Sequence, residues 1–311
     1  MISLKNISFK RGDRTILEDI SLKLNKGEIF GIVGPSGAGK STLLQIMSGL
    51  LDAEHGAVFL GKDQVVGPSQ RLIPGHPEVQ LVNQEFGLDN YHKVYENLWV
   101  KANHLNEKLN KEMIEELLDL LDLSHLATSQ AIHLSGGEKQ RLALGRALIM
   151  ESKVILLDEP FAHLDAHIKR RVIDYLLRLK KARKTTFVFV THDGQDVLTF
   201  ADRIAYFNDS EIKRISNAEE FYLKPANEIE ACFFGEINKI SLDRKAYLFR
   251  PTQFSLTKSS VYNYELVVNF KEKVFAGPYS VFTFKFGTKQ SITLYDTKDI
   301  SHADKIYIEK N

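Results

Sequence analysis

The stretch "GPSGAGKST", residues 34–42, constrains this chain more than any other. It follows the compact apolar run "GEIFGIV" at 27–33. It precedes "STLLQIMSGL", where Leu43, Leu44 and Met47 share one helical face and Gly49 is a natural stop. Strand, glycine loop and helix in that order build a cradle for an anion. Glycines admit positive φ, so consecutive N–H groups curl around a phosphate, and the helix aims its positive dipole end at the same charge. Gly34, Pro35, Ser36, Gly37, Ala38, Gly39, Lys40, Ser41 and Thr42 are therefore expected to hold a nucleotide. In this motif Lys40 reaches the β- and γ-phosphates and the Ser41 hydroxyl ligates Mg2+.

Two further segments bear on the same chemistry. "VILLD", 154–158, is an apolar run without alternation, as suits the covered interior of a parallel sheet. It delivers Asp158 and Glu159 to a strand's carboxyl end, where ligands sit in open α/β sheets. Adjacent residues leaving a strand point in different directions. One carboxylate can hold the metal while the next orients or deprotonates water. "LSGGEKQR", 134–141, puts Gly136 and Gly137 at a second helix start, and Ser135-x-x-Glu138 fits a capping box.

Around these lie readable elements. Residues 2–9 and 16–24 predict a hairpin about "KRGDRT", and "HGAVFLGKDQ" a second. Residues 67–77, with three prolines and two glycines, predict a loop. "VQLVNQ" and "TTFVFVT" predict strands. Helices are expected over about 96–126, 138–150 and 166–181, the first presenting Met113, Ile114, Leu117, Leu118 and Leu121 as an apolar face. The whole predicts an α/β fold built on the phosphate loop, running to about residue 230. From 235 to 311 short strands alternate with Gly, Pro, Asn and Lys, and Phe282, Phe284 and Phe286 share a face, predicting a small all-β, barrel-like domain.

Composition narrows the partners. A formal net charge of +1 and no basic stripe argue against a nucleic-acid partner. The single cysteine, Cys232, excludes an internal disulfide and fits a reducing compartment. No apolar run approaches the roughly 20 residues of a membrane span, and the opening "MISLKNISF" reads as a strand, not as a leader.

Taken in order, "GPSGAGKST", Gln84 in "LVNQEF", "LSGGEKQR", "VILLDEP", "AHLD" and His192 in "VTHD" resemble the ATP-binding cassette ATPases of membrane transporters. The resemblance covers about residues 1–230 and implies a P-loop NTPase cassette there, α/β with an antiparallel β subdomain and a helical subdomain at about 86–150. It implies two cassettes facing head to tail, as a homodimer or with a second cassette. Ser135, Gly136 and Gly137 would then cap the γ-phosphate of ATP held by the partner's loop. It implies that Glu159 is the general base and that Asp158 and Ser41 hold Mg2+. Gln84 would contact the metal and the attacking water, His192 the γ-phosphate, and Asp165 the dimer seam. Where the family stacks an aromatic on adenine this chain has Arg11, whose guanidinium can lie on a π-face.

The tail "YLFRPTQF" and "FAGPYSVFTFKFG" resemble the transport-associated OB-like domains of importer ATPases. The layout implies a peripheral ATPase on the cytoplasmic face of the cell membrane. It would drive a transmembrane permease fed by a periplasmic binding protein, with polyamine or ferric iron as the favoured solute. The alternatives are an exporter or lipoprotein-release ATPase, and a non-transport cassette protein acting on ribosomes or DNA. Single exporter cassettes usually lack a β tail, and the last class usually carries two cassettes or a long coiled coil.

Overall fold

Three strands whose residues are all buried form the spine of a computed structural model describing residues 1–83, 87–102, 106–162, 164–242, 245–287 and 290–309. The first unit, Met1–Ala218, opens with a hairpin of β1 (Ile2–Arg11) and β2 (Arg14–Leu24). β3 (Ile29–Val33) runs through the phosphate loop into α1 (Lys40–Ser48). β4 (His55–Leu60) and β5 (Asp63–Val65) complete an antiparallel sheet of order β2-β1-β4-β5. β6 (Val79–Val82) precedes the helices α2 (Val94–Trp99), α3 (Glu107–Leu120) and α4 (Gly136–Ile149). Then come β7 (Val154–Asp158), α5 (Ala166–Arg183), β8 (Thr186–Thr191), α6 (Gly194–Leu198), β9 (Arg203–Asn208) and β10 (Glu211–Ser216).

The second sheet has the order β10-β9-β3-β8-β7-β6. β3 pairs in parallel with β8 and β9, and β7 with β6 and β8. Covered on both faces, these strands need no polar alternation, which is why "IFGIV", "VILLD" and "TFVFVT" read as unbroken apolar runs. One core joins both sheets to α1 through Ile32, Leu43, Leu44, Met47 and Val188. The carboxyl ends of β3, β7 and β8 thereby open at one edge, where ligands sit in such sheets.

The helical reading of 96–126 resolves into separate pieces. The Asn106 side chain accepts from Lys108 N and Leu109 N, starting α3 afresh. Asn97 is fully buried, and its amide is committed to the loop before α2: it accepts from Asp89 N and donates to the Asp89 carbonyl, both at 3.0 Å. Arg146 of α4 donates to the Gly87 carbonyl at 2.6 Å and lies 3.4 Å from the Asp89 carboxylate. The loop at 87–93 is thus fastened to the helix that carries "GGEKQR". No helix among the described residues is long and apolar enough to cross a membrane.

The second unit, Glu219–Asn311, takes in most of α7 (Ala218–Leu223) and all of α8 (Glu228–Phe233), so the boundary falls ahead of the 230–235 that sequence reading suggests. Arg250 ties both helices to the strands that follow. Its side chain is fully buried and donates to the carbonyls of Tyr222, Ala231, Gly235 and Glu236. After α8 come β11 (Asn238–Leu242), β12 (Lys245–Phe249), β13 (Tyr264–Phe275), β14 (Ser280–Phe286), β15 (Gln290–Asp296) and β16 (Lys305–Ile308). They form a two-stranded sheet and a four-stranded sheet over one core that includes Phe282, Phe284, Leu294 and Ile306. The result is a small all-β domain of half-barrel form.

Candidate active site

The phosphate loop leaves β3 and ends where Gly39 caps α1 at φ 111°, a left-handed value that favours glycine. A Cβ at Gly39 would meet the Ile16 carbonyl at 2.6 Å, and one at Gly34 the Phe207 carbonyl at 1.9 Å. Both glycines are therefore demanded by space. Pro35, Ser36, Gly37 and Ser41 are exposed, while Ala38, Gly39 and Thr42 are half-buried. The buried Lys40 ammonium folds back over the loop, donating to the carbonyls of Gly34 at 2.8 Å and Pro35 at 2.9 Å. Burial holds its pKa below the ordinary lysine value, against the opposing pull of the Glu159 and Asp158 carboxylates.

Asp158, the last residue of β7, is buried and hydrogen-bonds Ser41. Burial raises its carboxyl above the usual carboxylate range and the Glu159 charge adds to this, while the Ser41 hydrogen bond and Lys40 oppose it. Its Oδ1 is buried without a hydrogen-bond partner among the described residues. A desolvated carboxylate oxygen beside a hydroxyl is an oxygen donor set of the kind a hard dication takes. Asp158 and Ser41 therefore fit Mg2+.

Glu159 adopts φ 51°, a left-handed conformation costing a non-glycine residue on the order of 1 kcal/mol. Contacts at its amide, its carbonyl and its carboxylate hold it there. Its N–H donates to Val190 O at 2.9 Å, joining it to β8. Its carbonyl accepts from Gln140 Nε2 at 2.7 Å and from Ala162 N at 3.3 Å. Its Oε1 accepts from His192 N at 3.0 Å and lies 2.8 Å from His192 Nδ1. When Nδ1–H donates to Glu159, a neutral imidazole leaves Nε2 as an acceptor, and only imidazolium donates from that nitrogen. His192 in this arrangement addresses Glu159 itself.

The second helix start has the capping box that its sequence predicts. Ser135 Oγ accepts from Glu138 N at 3.3 Å, and Glu138 Oε2 accepts from Ser135 N at 2.7 Å. Ser135 and Gly136 are exposed and Gly137 half-buried, so the first turn of α4 faces outward.

The structure thus brings together Lys40, Ser41, Asp158, Glu159 and His192. Gln84, expected at the metal and the water, lies outside the described residues. Arg11 is exposed at the β1–β2 turn, whereas Ile16 packs on the loop at Gly39. Sequence reading passed over Ile16 and Gln140. The signal for Gln140 was a polar residue on the apolar stripe Ala143, Leu144, Ala147 and Leu148 of α4.

A phosphate loop on a parallel sheet, with paired carboxylates at the neighbouring strand end, defines a nucleotide-hydrolysing cassette. The ABC transporter family matches residues 17–162. The sulfate/thiosulfate import ATP-binding protein CysA of Pseudomonas syringae pv. tomato is 36% identical over 267 residues, covering 84% of this chain and 81% of that protein. The spermidine/putrescine import ATP-binding protein PotA of Thermotoga maritima is 36% identical over 239 residues, covering 76% and 64%. The ATP-binding cassette MJ0796, solved as a dimer in a post-hydrolysis state with ADP and Pi, superposes with a TM-score of 0.62 at 28% identity, over 70% of this chain and 99% of that one. The chain belongs to the ATP-binding cassette transporter family and is an ATPase that binds and hydrolyses ATP.

Proposed function

We propose that the chain energises a solute importer, as one of two paired cassettes lying peripherally on the cytoplasmic face of the cell membrane against permease subunits. A solute-binding protein would feed that permease. One observation carries the reading: the import ATP-binding relative aligns over 267 residues, beyond the 218 of the first unit, so the likeness extends into the β domain. The relatives point to two solute classes, a sulfur oxyanion and a polyamine.

Each residue then has a task. The N–H groups of Gly34 to Thr42 and the α1 dipole bind the phosphates, and Lys40 turns from its loop carbonyls to them. Asp158 and Ser41 hold Mg2+, which supplies charge neutralisation at the phosphates. Glu159 accepts the proton of the attacking water, and His192 holds that carboxylate in line through its N–H and ring. Gln84 orients the water. The outward first turn of α4, Ser135 to Gly137, closes on the partner's nucleotide. Arg11 lies along the adenine.

The test is Glu159→Gln in the full chain. It keeps the side chain's size and removes its basicity. We expect ATP binding within a few-fold of the unaltered protein, hydrolysis reduced by at least about 100-fold, and an ATP-dependent dimer on a sizing column. Turnover at the unaltered rate would remove Glu159 from this role. Reconstitution with its membrane partner, comparing stimulation by spermidine and by sulfate or thiosulfate, separates the two solute classes.

A further inference from the structure

The hydrogen bond from Gln140 to Glu159 has no place in the chemistry above, yet it joins two parts of the site that otherwise belong to different nucleotides. Gln140 lies on α4, five residues beyond its cap Ser135, and is buried. Its orientation is settled by chemistry: a carbonyl cannot donate, so the group 2.7 Å from Glu159 O is the amide Nε2–H. The other amide atom, Oε1, is buried without a partner among the described residues. A buried amide that leaves its acceptor unsatisfied is costly as a purely stabilising device. It is better explained by what its donor does.

Its donor makes the shorter of two bonds to that carbonyl, the other coming from Ala162 N–H at 3.3 Å. Glu159 is left-handed at φ 51° and is followed by Pro160, which has no N–H to anchor the next peptide. The Val190 carbonyl secures the amide on one side of the Glu159 Cα and Gln140 secures the carbonyl on the other. Together they set the direction in which Cβ leaves the chain, and hence where the carboxylate meets His192.

We propose that Gln140 is a positioning residue for hydrolysis: by donating to the Glu159 carbonyl it holds that peptide in its left-handed conformation and keeps the carboxylate aimed. The assignment rests on the reading of Glu159 as the base. A helix is rigid over this distance, so a displacement of the exposed Ser135 end of α4 reaches the base through this bond.

The test uses full-length Gln140→Met, which matches the side chain in length and lacks the donor, and Gln140→Glu, which places an acceptor against the carbonyl. For both we expect kcat to fall at least tenfold while KM for ATP stays within about twofold, the split of an interaction that matters after binding. ATP-dependent dimerisation of the double variant Gln140→Met, Glu159→Gln should equal that of Glu159→Gln alone. A kcat within twofold of the unaltered chain in either variant overturns the proposal, as does a rise in KM at constant kcat. If Gln140→Met melts below assay temperature, Gln140→Glu decides. Unfolding of both would make Gln140 a stabilising residue and end the assignment. Loss of the underlying reading looks different: Glu159→Gln would then turn over normally.

Discussion

Asp158 shows at a single residue how far the site opposes its own fold. Burial keeps its carboxyl above the ordinary range, so the native state binds that proton more tightly than the unfolded chain does. The sign follows: stability falls as pH rises from the unfolded value through the folded one. Asp158→Asn removes the charge and keeps the shape. In the absence of nucleotide we expect its melting temperature to rise by about 2–4 °C at pH 7, equivalent to roughly 1 kcal/mol for a unit of this size. The gain should vanish near pH 3, where both proteins are neutral at that position. Thermal melts at the two pH values check it, and hydrolysis by the variant should be lost. Asp158, Glu159, Lys40 and Ser41 were all legible in sequence because their motifs are contiguous. Gln140 and Ile16 were not, because what they do depends on a fold that brings Glu159 and Gly39 to them from 19 and 23 residues away.

At the scale of elements, α4 carries its own start signal and, on the proposed reading, a surface for a second cassette. The reciprocal bonds of Ser135 and Glu138 satisfy two backbone donors, and the Ser135 bonds hold the Glu138 carboxyl below its usual range. Because that pKa is depressed on folding, the contribution exists above the unfolded carboxylate value and is lost as pH falls through the folded one. Ser135→Ala deletes the acceptor and should cost about 1 kcal/mol in urea unfolding at pH 7. Ser135→Arg fills the outward face instead. It should leave nucleotide affinity of the single chain within a few-fold while abolishing the ATP-dependent dimer, both measurable by fluorescent-nucleotide titration and sizing. A collapse of single-chain affinity would place the "LSGGE" segment on its own nucleotide. The helices expected at 138–150 and 166–181 fall within two residues of α4 and α5 at each end. Periodicity merged α2 with α3, because the caps at Lys93 and Asn106 depend on side-chain bonds that periodicity does not register.

For the whole molecule, the boundary between the two units lies ahead of the change in composition that the sequence displays. The strand character begins near residue 238, yet α7 and α8 already belong to the second unit. Phe221 of α7 and Phe234 are both fully buried and stack at 4.8 Å. Arg250 gathers the carbonyls of Tyr222, Ala231, Gly235 and Glu236 around one guanidinium. A truncation ending at residue 234 would keep both helices and remove the arginine and the β core, leaving Phe221, Phe234 and the carbonyls of Tyr222 and Ala231 without their partners. A truncation ending at residue 218 removes the helices with their partners. The shorter chain should therefore be the better behaved: monodisperse on a sizing column, melting in one transition and binding ATP with near-native affinity, while the longer one binds a hydrophobic dye and aggregates. In the full chain, Arg250→Met should cost about 2–4 kcal/mol in the β unit, through the buried carbonyls it leaves unpaired. The ATP-binding transition should stay where it is. If the 234-residue chain proved as soluble as the 218-residue one, the helices would not need Arg250, and the arginine of "YLFRPTQF" would have to be explained by something other than holding its own domain together.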